Sequence, residues 1–323
     1  MNELHVVILA AGKGTRMKSA RPKILHELAG RSLIEHLLRT VEPLGAVETI
    51  LVVGHGADDV RAALAARSNL EYVVQSPQLG TGHALVQTRP VLDGKTGDVL
   101  LLYADVPLLQ TSTLSRLVEH HRATHASATV LTADLVDPYG YGRIVRDADG
   151  RVARIVEERD ASAEERGILE INSGIYAFSL GPLFDALGSL AADNAQGEYY
   201  LTDLVAVYRR RRLRVETLSL DDATELRGVN TRVDLAELTG IVRDRKRRAL
   251  MLSGVTLDDP ATAYIDMDVE IGPDTVVEPC VVVTGRAVIG ARCRLQAGAR
   301  IADAVIGDDV TVKGSEPFST ETG

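Results

Sequence analysis

The most constraining feature of the sequence is a six-residue periodicity that follows Asp258. An apolar residue recurs at this spacing, and a small or compact residue recurs four positions after it. The apolar series is Ile271, Val277, Val283, Ile289, Leu295 and Ile301, and the compact series is Thr275, Val281, Ala287, Cys293, Ala299 and Val305. Hexapeptide repeats build parallel β-helices, in which stacked repeats bury a continuous core. The pattern predicts a partial left-handed β-helix over residues 254–313, with roughly two coils and a one-residue slip at Ile306.

Before these repeats, short apolar runs alternate with amphipathic stretches. The runs at residues 5–10, 49–53, 72–74 and 99–103 are rich in Val, Ile and Leu. Such runs are typical of buried parallel strands. Shorter β segments follow between residues 126 and 176, where a substrate-side subdomain is expected. The sequence therefore predicts an α/β domain over residues 1–231, a connecting helix over 232–253, the β-helix, and a mobile tail over 314–323.

Charge and composition exclude several classes of protein. The formal net charge of −9 argues against a nucleic-acid partner. The arginine runs at 209–212 and 243–248 are expected late in helices, where cations complement the helix dipole. No apolar run is long enough to span a membrane. The two cysteines, Cys280 and Cys293, fit a reducing cytoplasm and are expected to be small core residues of the β-helix.

A glycine-rich loop follows the first predicted strand. It runs from Leu9 to Met17 and contains Gly12, Lys13, Gly14 and Arg16, with Lys23 shortly after it. Loops at the carboxyl ends of parallel strands bind ligands, and glycines let backbone N–H groups approach phosphates closely. The spacing matches neither a Walker A motif nor a Rossmann fingerprint. A phosphate-binding loop and a plain glycine-rich turn both remain open at this point.

A carboxylate stands at the end of another predicted strand. Asp105 follows the apolar run 99–103 and precedes Pro107. A carboxylate in this position can hold Mg²⁺ against substrate phosphates, because Mg²⁺ takes few protein oxygens. A helix N-cap or a turn aspartate explains the position equally well.

Several ordered segments together resemble a known family. The loop with Lys23 resembles the sugar nucleotidylyltransferase signature. Further segments resemble the GlmU family of bifunctional N-acetylglucosamine-1-phosphate uridylyltransferases and glucosamine-1-phosphate N-acetyltransferases. These segments are Gln75 with residues 78–84, 103–107, 140–144, 170–174, 194–200 and 228–230. The resemblance implies a Rossmann-like, GT-A-like nucleotidyltransferase with a mixed sheet, and transfer of UMP from UTP to N-acetylglucosamine 1-phosphate for cell-wall synthesis.

The resemblance also assigns roles to individual positions. Arg16 and Lys23 would be catalytic, and Asp105 and Asn230 would hold Mg²⁺. UTP would contact Leu9, Ala10, Ala11, Gly12, Lys23, Gln75, Gly80 and Thr81, with Gln75 at the base edge. The sugar phosphate would contact Tyr103, Ala104, Asp105, Gly142, Glu157, Asn172 and Asn230. Glu158 is an equally exposed alternative to Glu157, and Asn172 could both donate and accept hydrogen bonds at an N-acetyl group.

Some expectations separate this chain from the family pattern or from rival functions. Ala104 stands where the family usually has glycine, which adds one methyl group near the metal. The family's acetyltransferase residues lie in later coils, so that activity is not expected. His83 is expected to be structural at a helix start rather than a general base. The rivals are a glucose-1-phosphate uridylyl- or thymidylyltransferase and a catalytically silent regulatory or trimerisation module on the same fold. The expected partners are UTP and N-acetylglucosamine 1-phosphate, with a homotrimer through the β-helix as a further expectation.

Overall fold

A mixed β-sheet organises the N-terminal part of the chain in the computed structural model, which describes residues 2–314. The strands before residue 232 are β1 Leu4–Ala10, β2 Glu27–Leu28, β3 Arg31–Ser32, β4 Glu48–Val53, β5 Leu70–Val74, β6 Asp98–Tyr103, β7 Ala128–Asp134, β8 Gly142–Arg146, β9 Val152–Val156, β10 Glu170–Ser179 and β11 Val215–Leu220. The main sheet has the order β11-β7-β10-β6-β1-β4-β5, and β8 and β9 extend from β10. β1, β4, β5 and β6 are parallel, whereas β10 is antiparallel to β6 and β7. The predicted mixed sheet is confirmed.

Helices cover both faces of this sheet, because successive strand residues point to opposite sides. The α-helices between residues 2 and 314 are α1 Leu33–Val41, α2 Ala57–Ala63, α3 Thr81–Val86, α4 Arg89–Leu92, α5 Thr111–Thr124, α6 Ala163–Arg166, α7 Leu180–Leu187, α8 Asp203–Arg210 and α9 Arg232–Leu252. On one face, Ile8 belongs to a core cluster with Ile34 of α1 and Leu117 of α5. On the other face, Val7 belongs to a cluster with Leu85 of α3.

The parallel strands end at one edge of the sheet, which brings the segments after β1 and β6 together. The predicted strands at 5–10, 49–53 and 99–103 are buried as expected. The prediction of burial is wrong for residues 72–74, since β5 is the last strand in the sheet order and Val74 is 46% exposed.

Short parallel strands form the C-terminal part. They are β12 Thr256–Leu257, β13 Tyr264–Ile265, β14 Glu270–Ile271, β15 Val276–Val277, β16 Val282–Thr284, β17 Val288–Ile289, β18 Arg294–Leu295, β19 Arg300–Ala302, β20 Val305–Ile306 and β21 Thr311–Val312. Over residues 254–314 they stack in three sheets, β12-β15-β18-β21, β13-β16-β19 and β14-β17-β20. Each coil takes one strand from each sheet, so three coils precede β21, and the expectation of roughly two was too low. In the first coil, eight residues rather than six separate Leu257 from Ile265. The six-residue periodicity therefore does not predict this coil.

The side chains inside the β-helix follow the predicted series with one exception, Val305. All six apolar positions from Ile271 to Ile301 are buried. Val305, predicted to lie inside, is 84% exposed, because the slip shortens the last coil by one residue and Ala304 packs against the core instead. Cys293 is buried as expected, but Cys280 is exposed and has a left-handed φ of 62°. The prediction of a core position for Cys280 is wrong.

By its contacts the chain divides into residues 2–25 with 33–230 and residues 26–32 with 231–314. The predicted boundary at residue 231 places residues 26–32 in the first domain, whereas by contacts they group with residues 231–314. In the second group, the N–H of Met267 donates to the carbonyl of Ala29 over 3.0 Å. The predicted mobile tail lies outside the described residues except for Gly314. No helix within residues 2–314 is both long enough and apolar enough to cross a membrane.

Candidate active site

A cavity of about 410 Å³ lies at the carboxyl ends of β1 and β6. It is lined by all the residues predicted to contact UTP, namely Leu9, Ala10, Ala11, Gly12, Lys23, Gln75, Gly80 and Thr81. Lys13, Tyr103 and Asp105 line it as well. The fold thus brings together residues that are far apart in the sequence, while the role of each in binding UTP remains a prediction.

The two glycines of the first loop serve different purposes. Gly14 has a left-handed φ of 59°, and a Cβ atom there would lie 2.7 Å from Cβ of Lys23. Glycine at this position lets Lys23 pack against the loop. Gly12 has no neighbour within 4 Å of a Cβ position, so its backbone borders open space in the cavity. The side-chain amide of Gln78 donates to the carbonyl of Ala11 over 2.8 Å and ties the loop down.

Lys23, Asp105 and Asn230 meet at one side of the first cavity. The Lys23 ammonium donates to Oδ2 of Asp105, and its Nζ lies 3.4 Å from Oδ1 of Asn230. Arg16 donates from Nη2 to the same Asn230 oxygen over 2.9 Å. The N–H of Val229 donates to the carbonyl of Asp105 over 2.8 Å, which holds the segment containing Asn230 beside the end of β6.

The predicted metal ligands fit a magnesium ion chemically. The Lys23 ammonium lies within hydrogen-bonding distance of a carboxylate oxygen of Asp105 and of the amide oxygen of Asn230. These two oxygens are therefore close enough to bind the same metal ion. Oxygen atoms are the ligands that Mg²⁺ takes. Within the described residues there is no group of three or more His, Cys, Asp or Glu side chains arranged for a metal. A metal held by Asp105 and Asn230 therefore needs ligands from water and substrate.

A second cavity of about 270 Å³ adjoins the first and shares Thr81, Tyr103 and Glu198 with it. Of the residues predicted to contact the sugar phosphate, Tyr103, Gly142, Glu157 and Asn172 line this second cavity. Asp105 lines the first cavity. Asn230 lines neither, and Ala104 lines neither because its side chain is packed in the core at 1% exposure.

Asn172 is held in one orientation by its neighbours. Its Oδ1 accepts the N–H of Gly174 over 3.0 Å and the hydroxyl of Tyr176 over 2.9 Å. The amide nitrogen is then the group left to face a ligand in the second cavity. The expectation that Asn172 both donates and accepts at a ligand is corrected, since its oxygen is already engaged by the protein.

The structure distinguishes Glu157 from its neighbour Glu158. Glu157 lines the second cavity and accepts the hydroxyl of Thr202 over 3.0 Å. Burial raises the pKa of Glu157, and the nearby Asp160 and Asp203 act in the same direction. Glu158 instead pairs with Arg143 over 2.7 Å, and this hydrogen bond lowers the pKa of Glu158. Of these two neighbours, Glu157 is the one that borders the cavity.

Comparison with known proteins supports this arrangement. Residues 6–217 match the MobA-like NTP transferase domain, and residues 268–303 match the bacterial transferase hexapeptide repeat. The bifunctional protein GlmU of Pelobacter propionicus is 47% identical over 97% of this chain and 68% of its own length. The bifunctional protein GlmU of Trichlorobacter lovleyi is 48% identical over the same shares. The chain belongs to the GlmU family.

Membership of the GlmU family confirms the predicted fold and activity. The domain from residue 6 to 217 is a nucleotidyltransferase, and the hexapeptide repeats agree with the left-handed β-helix. Uridylyl transfer to N-acetylglucosamine 1-phosphate is the activity that the GlmU relatives and the transferase domain support.

Sequence reasoning missed some residues of this GlmU-family site. Glu198 borders both cavities, and Tyr176 and Thr202 contact predicted sugar-binding side chains directly. Glu198 lies within a segment that carried the family resemblance, residues 194–200, which could have identified it. Tyr176 reaches Asn172 within β10, where the strand is irregular between the two residues. Thr202 has no local signal, because its contact with Glu157 joins positions 45 residues apart.

Proposed function

We propose that UTP binds in the first cavity and N-acetylglucosamine 1-phosphate in the second. A phosphate oxygen of the sugar then attacks the α-phosphorus of UTP in line. The bond from the α-phosphorus to the bridging oxygen breaks, and pyrophosphate leaves as UDP-N-acetylglucosamine forms. The observation that carries this proposal is the shared border of the two cavities at Thr81, Tyr103 and Glu198. Adjacent binding provides the short separation that direct transfer requires.

Lys23 and Arg16 supply positive charge for this reaction. Both side chains lie next to Asn230, and Lys23 borders the first cavity. Cations that are already in place stabilise the negative charge that develops on the α-phosphate and on departing pyrophosphate. No general base is required, because a phosphate monoester is largely ionised at neutral pH, with a second pKa of about 6.

Asp105 and Asn230 are the proposed ligands of Mg²⁺. When bound, the ion would neutralise phosphate charge and orient the reacting groups. The protein's own contribution is to hold the segment that carries Asn230 beside the end of β6, through the hydrogen bond from the N–H of Val229 to the carbonyl of Asp105. The positive charge of Lys23 offsets the negative charge of Asp105 beside it.

The second cavity favours an N-acetylated sugar over glucose. The amide nitrogen of Asn172 can donate to an acetyl carbonyl, since its oxygen is held by Gly174 and Tyr176. The carboxylate of Glu157 can accept hydrogen bonds from sugar hydroxyls. Gly142 leaves space beside Glu157, whose Oε2 would lie 3.5 Å from a Cβ at that position.

A homotrimer assembled through the β-helix is part of the proposal and is supported by the hexapeptide repeats at residues 268–303. Light scattering coupled to size exclusion should give three times the mass of the chain. A mass equal to one chain would contradict it. A cytoplasmic location is also proposed, in keeping with the free thiols of Cys280 and Cys293.

A pyrophosphate-release assay tests the reaction. UTP and dTTP would each be offered with N-acetylglucosamine 1-phosphate and with glucose 1-phosphate, with Mg²⁺ or with chelator. Fastest release from UTP with the N-acetylated sugar, lost on chelation, supports the proposal. Preference for glucose 1-phosphate would favour the sugar-nucleotide rival, and no release from any pair would favour a silent module.

The stereochemistry at phosphorus tests the direct transfer. A single in-line displacement inverts the configuration of a chiral α-thiophosphate analogue of UTP. Two successive displacements through a covalent enzyme intermediate retain the configuration. Inversion is expected, and retention would rule out the proposed single step.

A further inference from the structure

The side chain of Gln75 is fixed in the wall of the first cavity. It follows β5, is only 5% exposed and lines the cavity. Its Nε2 donates to the carbonyl of Gly80 over 2.9 Å and lies 3.1 Å from Nδ1 of His83. Both hydrogens of the amide nitrogen are thus directed at protein atoms. The remaining polar atom of the side chain, Oε1, is the one left for a ligand in the cavity.

The carbonyl of Gly80 decides this orientation. A carbonyl oxygen only accepts, so a rotated Gln75 amide would place oxygen against oxygen. The same carbonyl accepts the N–H of Ala84 over 3.1 Å at the start of α3, which fixes its direction. The glycine itself has a φ of 101°, and a Cβ there would lie 2.8 Å from the carbonyl oxygen of Tyr199. The geometry of this turn therefore sets which end of the Gln75 amide faces inward.

His83 receives the second hydrogen of the Gln75 amide. Nδ1 must accept it, so a neutral His83 ring carries its own hydrogen on Nε2. Gln87 lies one helical turn after His83. The distance between the side-chain nitrogen of Gln87 and Nε2 of His83 is 3.1 Å. The Gln87 nitrogen also lies 3.3 Å from the carbonyl oxygen of His83, a longer contact than the 2.9 Å between Gln75 and Gly80. Gln87 is therefore the amide that rotates about its last side-chain bond, which gives up this long contact and presents the Gln87 oxygen to the N–H of His83. The imidazole is held between the two glutamines.

We propose that His83 is a positioning residue that makes the site select pyrimidines with a hydrogen on N3. By fixing the Gln75 amide, it leaves Oε1 as an acceptor toward the base. Uracil and thymine carry an N3–H that can donate to this oxygen. Cytosine presents a lone pair at N3, so acceptor would face acceptor. This inference rests on the proposed binding of UTP in the first cavity.

Matched substitutions at His83 test the inference through nucleotide choice. His83→Leu keeps the bulk but removes the acceptor, whereas the side-chain oxygen of His83→Asn can replace Nδ1. The measured quantity is kcat/KM for UTP divided by kcat/KM for CTP, with N-acetylglucosamine 1-phosphate as the second substrate. We expect the ratio to fall at least about tenfold in His83→Leu, mainly through KM for UTP, and to stay within about threefold of wild type in His83→Asn. Equal ratios in wild type and His83→Leu would overturn the inference, as would equal losses in both variants.

A measurement on the wild-type chain does not depend on how the variants fold. Nitrogen-15 NMR of labelled histidines distinguishes a ring with its hydrogen on Nε2 from one with its hydrogen on Nδ1. The Nε2–H form is expected for His83, assigned by its absence in His83→Asn. A hydrogen on Nδ1 would overturn the inference while leaving the proposed function intact. A wild-type chain that turns over neither nucleotide would instead overturn the proposed function, and with it the base selection.

Discussion

The ammonium of Lys23 donates directly to the carboxylate of Asp105, although 82 positions separate the two residues in the chain. Both side chains are largely buried, at 14% and 22% exposure. The pair joins the phosphate loop after β1 to the end of β6, so the predicted phosphate ligand and the predicted metal ligand form one cluster. Removing either partner leaves the other charge partly buried and unpaired.

Substitution of this pair should slow the reaction. We expect Lys23→Ala and Asp105→Asn each to reduce turnover at least about tenfold, or about 1.4 kcal/mol in the barrier. The steady-state rate of pyrophosphate release measures the effect, with circular dichroism to check folding. Asp149→Asn is a suitable control, since Asp149 is exposed and pairs with Arg151 at 3.9 Å outside both cavities. Rates near wild type in Lys23→Ala would contradict the assignment.

Tyr176 should influence the sugar site through Asn172. Tyr176→Phe removes the hydroxyl that holds Oδ1 of Asn172. With the amide freed to rotate, KM for N-acetylglucosamine 1-phosphate should rise about two- to tenfold, as loss of one hydrogen bond implies. KM for UTP should change less. Tyr139→Phe, at a side chain that is 78% exposed, provides the control, and an equal rise in both KM values would argue against this role.

The raised pKa of Glu157 should make stability depend on pH. Because burial raises the pKa of Glu157 in the folded state above the ordinary value of 4.5, the folded chain binds the proton more tightly than the unfolded chain. The stabilisation is complete below pH 4.5 and is lost as pH rises through the folded-state pKa. The melting temperature of Glu157→Gln relative to wild type should therefore increase from pH 4 toward pH 7.

Glu158→Gln gives the opposite expectation and serves as the control for Glu157. Its hydrogen bond from Arg143 lowers the pKa of Glu158, so this carboxylate contributes stability above pH 4.5 that disappears as pH falls. Glu158→Gln should melt below wild type at neutral pH and approach it in acid. The same pH trend in both variants would show that the two carboxylates do not differ as described.

Thr275 should stabilise the β-helix from inside. Its buried hydroxyl donates to the carbonyl of Gly290 over 2.9 Å and accepts the N–H of Cys293 over 3.0 Å. Thr275→Val keeps the shape but leaves both backbone groups without this partner, which should cost about 1–3 kcal/mol. Urea unfolding followed by circular dichroism measures the change. Thr256→Val, at an exposed strand position, should have little effect, and similar losses in both would contradict the explanation.

Local patterns predicted the elements better than they predicted the contacts between them. The strands at residues 5–10 and 99–103 were evident, because continuous apolar runs reflect burial on both faces of a sheet. The hexad does not predict the first coil of the β-helix, because eight residues rather than six separate Leu257 from Ile265. The six-residue period predicts an interior position for Val305, but the one-residue slip at Ile306 places this side chain outside.

The sequence by itself determined the fold class, the family and the group of residues that line the first cavity, because periodic burial and ordered motifs are written in local order along the chain. Only the tertiary structure decided which way the Asn172 amide faces, that Glu157 rather than Glu158 borders the sugar cavity, and that Gln75 is held by His83. Thr202, the partner of Glu157, is 45 positions away in the chain. The partners of Asn172 and Gln75 are near in sequence, but the irregularity in β10 and the turn before α3 set their positions. The direction of a donor or acceptor is set by what surrounds it after packing, and no spacing along the sequence specifies that.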